Sequence, residues 1–87
     1  MVTKTLTVTN PQGLHMRPAS VLAGAMGKYK SEITITHNGN AINAKSVMNL
    51  IAACIKCGSE IVIACNGEDE QAMLEEAVSM IESGFGE

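Results

Sequence analysis

The residues best suited to chemistry in this sequence lie in one short stretch, GLHMRPAS at residues 13–20. Pro18 is typical of the first turn of a helix, where its missing N–H leaves no hydrogen bond unmade. The stretch therefore predicts that His15 lies at or just before a helix N-terminus, where backbone N–H groups and the helix dipole attract anions. Arg17 adds a guanidinium whose forked N–H groups match phosphate oxygens.

A histidine at that position can act as a nucleophile toward phosphorus. The positive field of a helix N-terminus favours the neutral imidazole, which is the nucleophilic form. No carboxylate pair, serine triad or glycine-rich phosphate loop lies nearby in the sequence. These residues indicate that His15 carries a phosphoryl group, held by N–H groups and Arg17, without turning over a substrate alone. The alternative at this point is a helix cap or an ordinary surface residue. His37, at a predicted hairpin edge without a cationic neighbour, is expected to be structural.

Hydrophobic periodicity predicts the elements that must position this stretch. The predicted strands are residues 2–9, 32–37, 40–43 and 60–66, and the predicted helices are residues 16–27, residues 47 to 56 or 57, and a last helix capped by Glu68 or Asp69. Asn38 followed by Gly39 predicts a tight hairpin turn, and residues 83–87 are expected to fray. The order β-α-β-β-α-β-α predicts one two-layer α/β domain over residues 1–87, an open sheet with all helices on one side.

Composition excludes several classes of function. The 87 residues are 46% hydrophobic and 17% charged, which indicates a globular chain. A net charge of −3 and only one tyrosine and one phenylalanine argue against nucleic-acid binding, including a βαββαβ RNA-binding module. No apolar run approaches the roughly 20 residues that span a bilayer, and the N-terminus does not resemble a signal peptide. A cytoplasmic protein without membrane insertion is expected.

The three cysteines are interpreted as inert. Cys54 and Cys57 form a CxxC pair, but no second pair of ligands follows, and an odd cysteine count does not suggest a disulfide framework. The pair is predicted near the end of an apolar helix, with Gly58 as the terminator. We therefore expect buried packing thiols at Cys54, Cys57 and Cys65, with no metal and no cofactor.

The segment VMNLIAACI, which follows Ser46, raises a separate question. Ser46 is predicted to be the N-cap of a short helix. Because such a helix buries only one stripe against a sheet, some of its apolar side chains should be exposed and form a docking surface. A long loop that covers the helix is the alternative that the sequence leaves open.

Together these features resemble the HPr family, the histidine-containing phosphocarriers of the bacterial phosphoenolpyruvate–sugar phosphotransferase system, in its low-GC Gram-positive type. GLHMRPAS is similar to the family's active-site motif, and KSVMNLIAACIKCGSEI at residues 45–61 is similar to its serine-phosphorylation region. The resemblance covers essentially the whole chain. It implies an open-faced β-sandwich with an antiparallel sheet of order 1-4-2-3 and three helices on one face.

The same resemblance implies site residues and partners. His15 would take phosphate on Nδ1 from phosphorylated enzyme I and pass it to the IIA domain of a sugar permease, and Arg17 would help to hold the phosphoryl group. Separately, nothing in the sequence requires more than a monomer. The implied docking residues are Met16, Ser20, Val47, Met48 and Ile51. Ser46 would be modified by an ATP-dependent kinase/phosphorylase, and the product would bind the catabolite control protein. A serine at this position is also explained as an N-cap alone.

Two alternatives and two departures accompany the resemblance. A Crh-like paralogue that regulates without carrying phosphate lacks the active-site histidine, so His15 argues against it. A stand-alone enzyme would need a substrate pocket and an acid or base, and the sequence shows neither. Met16 stands where the family usually has a small or hydroxylated residue, and it is expected to tune the choice of partner. Cys54 and Cys57 stand where glycine or alanine is more usual.

Overall fold

A computed structural model of the chain describes residues 1–86 and contains four strands and three α-helices within that range. The strands are β1 (Val2–Thr7), β2 (Glu32–His37), β3 (Asn40–Asn43) and β4 (Glu60–Asn66), and the helices are α1 (Met16–Met26), α2 (Val47–Ala52) and α3 (Glu70–Glu82). The predicted order β-α-β-β-α-β-α is confirmed. None of the described helices is long and apolar enough to cross a membrane.

The four strands form one antiparallel sheet of order β1-β4-β2-β3, as the resemblance implied. On one face, Leu6 lies opposite Ile61 and Ile63 opposite Ile35, and these side chains are buried beneath the helices. Because side chains alternate along a strand, the residues between them point to the other face. That open face carries polar and small residues, such as Thr5 opposite Val62. The sheet is therefore covered by helices on one side only.

Aliphatic side chains fill the space between the sheet and the helices, because each helix buries one stripe. Leu22 and Met26 of α1 and Met73 and Ile81 of α3 are fully buried against the sheet residues. The turn between β2 and β3 has φ of 52° at Asn38 and 80° at Gly39. Positive φ at both positions is what the predicted tight hairpin requires.

Strand β1 ends at Thr7 rather than at residue 9. Val8 still pairs with the chain before β4, because its N–H donates to the Ser59 carbonyl (2.9 Å) and its carbonyl accepts from Gly58 N–H (2.8 Å). Leu6 and Val8 are both buried, as the alternation of side chains along a strand requires of residues on its inner face. Beyond them the chain turns at Asn10 to reach α1, so the regular ladder stops.

Helix α2 has six residues, and its predicted extension to residue 56 or 57 is wrong. The chain leaves the helix because Cys54 adopts a left-handed backbone with φ of 53°, while its N–H donates to the Ile51 carbonyl (3.2 Å). Ile55 is then buried, and its carbonyl accepts from Leu14 N–H (2.9 Å). The CxxC segment therefore lies beyond α2, against the loop that leads into α1.

The end of the chain differs from the predicted fraying. Residues Gly84–Gly86 form a tight turn and not a regular helix, because Phe85 has a left-handed backbone with φ of 58°, and its side chain packs against the core. The rest of the predicted frayed end, residue 87, lies outside the described residues. Gly84 and Phe85 therefore belong to the packed structure.

Asp69 lies at the N-cap position of α3, but its side chain makes no cap hydrogen bond to that helix. Its carboxylate instead accepts from the Ser31 hydroxyl and from the N–H groups of Ser31 (2.9 Å) and Lys30 (3.0 Å). These bonds, above all that from the Ser31 hydroxyl, lower the pKa of Asp69 from 3.8 to about 2. Asp69 therefore joins the start of α3 to the segment before β2.

Candidate functional site

His15 is the N-cap residue of α1, as predicted. Its backbone is extended, with φ of −78° and ψ of −168°, and its carbonyl accepts from Ala19 N–H (3.0 Å), which is the first bond of the helix. Its side chain makes no cap hydrogen bond to the helix and is half-buried. The imidazole therefore lies at the end of α1 without closing that end.

The first turn of α1 suits an anion. The N–H groups of Met16 and Arg17 lie at the positive end of the helix dipole, where helix geometry aims them outward. Pro18 adds no N–H to this turn, and the turn contains no acidic residue. No carboxylate of the helix itself therefore offsets the positive potential at this end.

Arg17 and His15 come together as the sequence predicted. Arg17 is exposed, and both side chains line a shallow depression with Pro11 and Gln12. Within residues 1–86, no acidic residue lines it. The depression combines an imidazole, a guanidinium and a helix end, and this combination can hold an anion at the histidine.

Hydrogen bonds between Asn10 and Gly13, in the loop before α1, fix the position of His15. The sequence did not predict these contacts. Asn10 is buried, its carbonyl accepts from Gly13 N–H (2.9 Å), and its side-chain amide donates to the Gly13 carbonyl. Gly13 has φ of +67°, and a Cβ there would lie 2.6 Å from Lys56 Cα. The loop therefore lies directly against residues 55–56. The residue types indicated only a turn, because this contact spans about forty residues of sequence.

The predicted docking residues form one surface beside His15. Met16 is 68% exposed and Met48 is 75% exposed, whereas Leu50 on the same helix is fully buried. Val47 and Ile51 are half-buried, and Ser20 is exposed one turn along α1 from Met16. Helices α1 and α2 pack against each other, and no described loop covers these residues. The predicted exposed apolar patch is present, and we call it the α1–α2 surface.

A second depression lies between α1 and the chain that follows α2, and we call it the His15–Cys54 depression. The residues that line it are Gln12, Leu14, His15, Met16, Ile51, Cys54, Ile55 and Lys56. Its volume is about 260 Å³. His15 therefore borders two depressions, one with Arg17 and one with Cys54.

Ser46 is the N-cap of α2, as predicted. Its hydroxyl accepts from Asn49 N–H (3.3 Å), and the residue is half-buried. The next two residues, Val47 and Met48, belong to the α1–α2 surface. The hydroxyl therefore both caps the helix and borders the proposed docking residues.

Two of the three cysteines were predicted wrongly. Cys54 and Cys57 are exposed, because α2 ends before them, and only Cys65 is buried. Burial raises the pKa of the Cys65 thiol to about 11, so this thiol stays protonated at neutral pH. Within residues 1–86, no group of three or more histidine, cysteine and acidic side chains could hold a metal ion. His37 is half-exposed at the end of β2.

The fold and the site define a class of small open-faced sandwiches with a histidine at the start of the first helix. A family model described as the PTS HPr component phosphorylation site matches residues 2–83. The phosphocarrier protein HPr of Mycoplasma capricolum is 46% identical over 79 residues, which cover 90% of this chain and 89% of that protein. The crystal structure of HPr-C-His from Thermoanaerobacter tengcongensis has a TM-score of 0.96 at 32% identity, covering 100% of this chain and 98% of that one.

A structure of the Bacillus subtilis catabolite repression containing protein Crh is also similar, with a TM-score of 0.77 at 30% identity and 97% of both chains covered. The likeness of fold thus extends to a protein named for catabolite repression as well as to phosphocarriers. The family match and the curated relatives decide the membership. This chain belongs to the HPr family of phosphocarrier proteins of the phosphotransferase system.

Proposed function

We propose that His15 accepts a phosphoryl group from phosphorylated enzyme I and passes it to the IIA domains of sugar permeases. The observation that carries this proposal is the position of His15 at the open N-terminus of α1, in one depression with Arg17. A bond from the imidazole Nδ1 to phosphorus forms as the bond between phosphorus and the donor breaks. The reverse exchange delivers the group to the acceptor.

The surroundings of His15 stabilise the phosphorylated form. The dianion lies at the positive end of the α1 dipole, where the N–H groups of Met16 and Arg17 can donate to its oxygens. The Arg17 guanidinium adds a charge-assisted hydrogen bond of the kind that proteins use for phosphate. None of the described residues that line the two depressions beside His15 carries a carboxylate that could act as acid or base. This favours a carrier over the stand-alone enzyme.

Both partners use the α1–α2 surface in turn. Its exposed methionines, Met16 and Met48, have flexible and polarisable side chains that adapt to more than one partner. Arg17 follows Met16 in α1, and Lys56 lines one depression with Met16 and Ile51, so partners with acidic rims are favoured. Each partner brings its own reactive group to His15, which explains why no enclosed pocket is needed here.

Ser46 is the regulatory position of this proposal. An ATP-dependent kinase/phosphorylase phosphorylates its hydroxyl, and the product binds the catabolite control protein. A phosphate there is favoured locally because it lies at the N-terminus of α2. It also introduces a dianion next to Val47 and Met48, which opposes docking of an acidic partner. Ser46 phosphorylation therefore slows phosphoryl transfer without altering His15.

The test is incubation with phosphoenolpyruvate and enzyme I, followed by phosphorus NMR and intact mass. We expect one acid-labile phosphate on the wild-type chain, none on His15→Ala, and normal labelling of the matched control His37→Ala. The likeness to Crh supplies the second candidate, a protein that acts only through phospho-Ser46. A wild-type chain that active enzyme I leaves unmodified, but that the Ser46 kinase modifies, would establish that candidate instead.

A further inference from the structure

Three residues that line the His15–Cys54 depression have side chains that bind soft metal ions. The mechanism above gives none of them a metal-binding role. Cys54 supplies a thiol, Met16 a thioether and His15 an imidazole, and all three residues line the depression. Cys54 is exposed because the left-handed turn at its own position ends α2. Cys57 is exposed too, but it does not line the depression, and its sulfur lies 3.7 Å from the Thr9 carbonyl.

We propose that the His15–Cys54 depression binds one soft monovalent metal ion, Cu(I), through Cys54 Sγ, Met16 Sδ and a ring nitrogen of His15. Thiolate, thioether and imidazole ligands together select soft ions such as Cu(I) and disfavour Mg²⁺ or Ca²⁺, which require oxygen donors. Among the residues that the structure describes, none with a carboxylate lines the depression. Met16 is largely exposed, and its unbranched side chain has the rotatable bonds needed to turn toward the ion.

The charge of the site favours a monovalent over a divalent ion. Lys56 lines the same depression, Arg17 is next but one to His15, and the positive end of α1 lies beside both. When Cu(I) binds, the Cys54 thiol loses its proton, so a sulfur–metal bond replaces a sulfur–hydrogen bond. One monovalent cation replaces another, no oxidation state changes, and the net charge of the site is unchanged. A divalent ion such as Zn²⁺ adds one positive charge among positive neighbours and is disfavoured.

Metal binding and phosphoryl transfer then exclude each other. This consequence rests on the proposed role of His15. The bound ion occupies an imidazole nitrogen and draws Met16 away from the α1–α2 surface, so a partner loses both its reaction site and a contact. The depression therefore makes this carrier sensitive to soft metal ions, a property that depends on Met16 and Cys54.

The binding test is an anaerobic titration of the full chain with Cu(I), in competition with a chromogenic Cu(I) chelator, with native mass spectrometry for stoichiometry. We expect one ion per chain. Cys54→Ser removes a ligand, so binding should weaken by more than the roughly 10–100-fold that loss of an outer-shell contact costs. Met16→Leu, which keeps the volume but removes the sulfur, should weaken it by about 10-fold. The matched control Cys57→Ser should bind as the wild type does.

Several results would overturn the proposal. Equal losses in Cys57→Ser and Cys54→Ser would indicate a cysteine-pair site. Unchanged ring NMR signals of His15 on titration would show that thiol coordination alone accounts for binding. Zn²⁺ that binds as tightly as Cu(I) would contradict the charge argument. Because binding is measured without enzyme I, a chain that binds Cu(I) but is never phosphorylated would refute only the proposed carrier function. A phosphorylated chain that does not bind Cu(I) would refute only this inference.

Discussion

The N-termini of helices α1 and α3 differ in their acidic residues. The start of α1 has the features of a binding site, whereas the start of α3 is a structural joint to the segment before β2. The first turn of α1 has no acidic residue, and its N-cap His15 makes no side-chain cap bond. The first turn of α3 contains Glu70, whose carboxylate accepts from Gly67 N–H (3.1 Å), and its N-cap Asp69 binds Ser31. Both helix ends attract negative charge, but among the described residues the first turn of α3 contains an acidic residue and that of α1 contains none. The first turn of α1 therefore suits an external anion better than that of α3 does.

The largest effect is expected where the loop holds the open end of α1 in place. A Cβ at Gly13 needs a positive φ and a position 2.6 Å from Lys56 Cα. Gly13→Ala should therefore lower the free energy of unfolding by about 2–5 kcal/mol, from backbone strain and overpacking together. Urea denaturation measures this. Gly39→Ala is the matched control, because its φ is +80° but no atom lies within 4 Å of its Cβ. It should cost about 1–2 kcal/mol, and equal losses would show that residues 55–56 do not hold the loop.

The closed end of α3 should respond to pH. Asp69 has a pKa of about 2 when folded, against an ordinary value of 3.8, so the unfolded chain binds the proton first as pH falls. Its contribution to stability is complete above about pH 4 and is lost as pH falls toward 2. Unfolding midpoints of wild type and Asp69→Asn should therefore differ most above pH 4 and converge at pH 2. The difference between the two proteins cancels the other carboxylates, so a constant difference would contradict the assignment.

Ser31 offers a second measurement on the same joint. It is buried, and its hydroxyl donates to Asp69 while accepting from Asp69 N–H (3.1 Å). Ser31→Ala leaves these groups without their partner and should cost about 1–3 kcal/mol. Because the hydroxyl is the main cause of the lowered pKa of Asp69, the loss between pH 4 and pH 2 should also become shallower. NMR titration of the Asp69 carboxyl carbon measures that change directly.

An acidic residue in the first turn of α1, like Glu70 in the first turn of α3, tests the difference between the two helix N-termini. Met16→Glu places a carboxylate in the open first turn, and Met16→Gln controls for size and for loss of the methionine. Relative to Gln, Glu should stabilise the fold by about 0.3–1 kcal/mol through the helix dipole. It should slow phosphoryl acceptance by about 10-fold, which corresponds to about 1.4 kcal/mol of repulsion toward the incoming phosphate. Stability and transfer should therefore change in opposite directions, and a parallel change would contradict the role of the open end.

The sequence predicted the features that follow from local pattern. Hydrophobic alternation predicted the bounds of β2, β3 and β4, and the Asn38–Gly39 pair identified the hairpin turn. Pro18 and the following apolar stripe located the start of α1 and therefore the position of His15. The strand order 1-4-2-3 came only with the family resemblance, because alternation shows which face of a strand is buried and not which strand lies beside it.

The predictions that were wrong concern features that depend on contacts between residues distant in sequence. The end of α2 was predicted near Gly58, but the helix ends earlier because Cys54 adopts a left-handed backbone. The residue type does not predict this conformation, since cysteine rarely adopts it. Ile55 explains the outcome, since its burial and its bond to Leu14 fix the chain outside the helix. The same error hid the exposure of Cys54 beside His15. Contacts between side chains in packed loops produce no hydrophobic periodicity, so they cannot be predicted from such a pattern.

The smallest effects are expected at α2. As at α3, a side chain of the chain itself accepts a hydrogen bond from a backbone N–H at this N-terminus, and like the N-terminus of α1, it borders the α1–α2 surface. Ser46 satisfies Asn49 N–H from within the chain, yet its hydroxyl is partly accessible. Ser46→Ala should cost about 1 kcal/mol through loss of the cap, whereas Ser46→Asp retains a capping oxygen and should cost almost nothing. Urea denaturation of the two variants measures this part of the prediction.

Transfer from enzyme I should show the reverse order. Ser46→Ala leaves the charge of the α1–α2 surface unchanged and should transfer at the wild-type rate. Ser46→Asp adds one negative charge beside Val47 and Met48 and should slow transfer by about 5-fold, or roughly 1 kcal/mol of repulsion. Because that charge is exposed, the slowing should shrink as salt is raised from 0.01 to 1 M, a range over which the Debye length falls from about 30 to 3 Å. A slowing that salt leaves unchanged would mean that the substitution distorts α2 instead of repelling the partner.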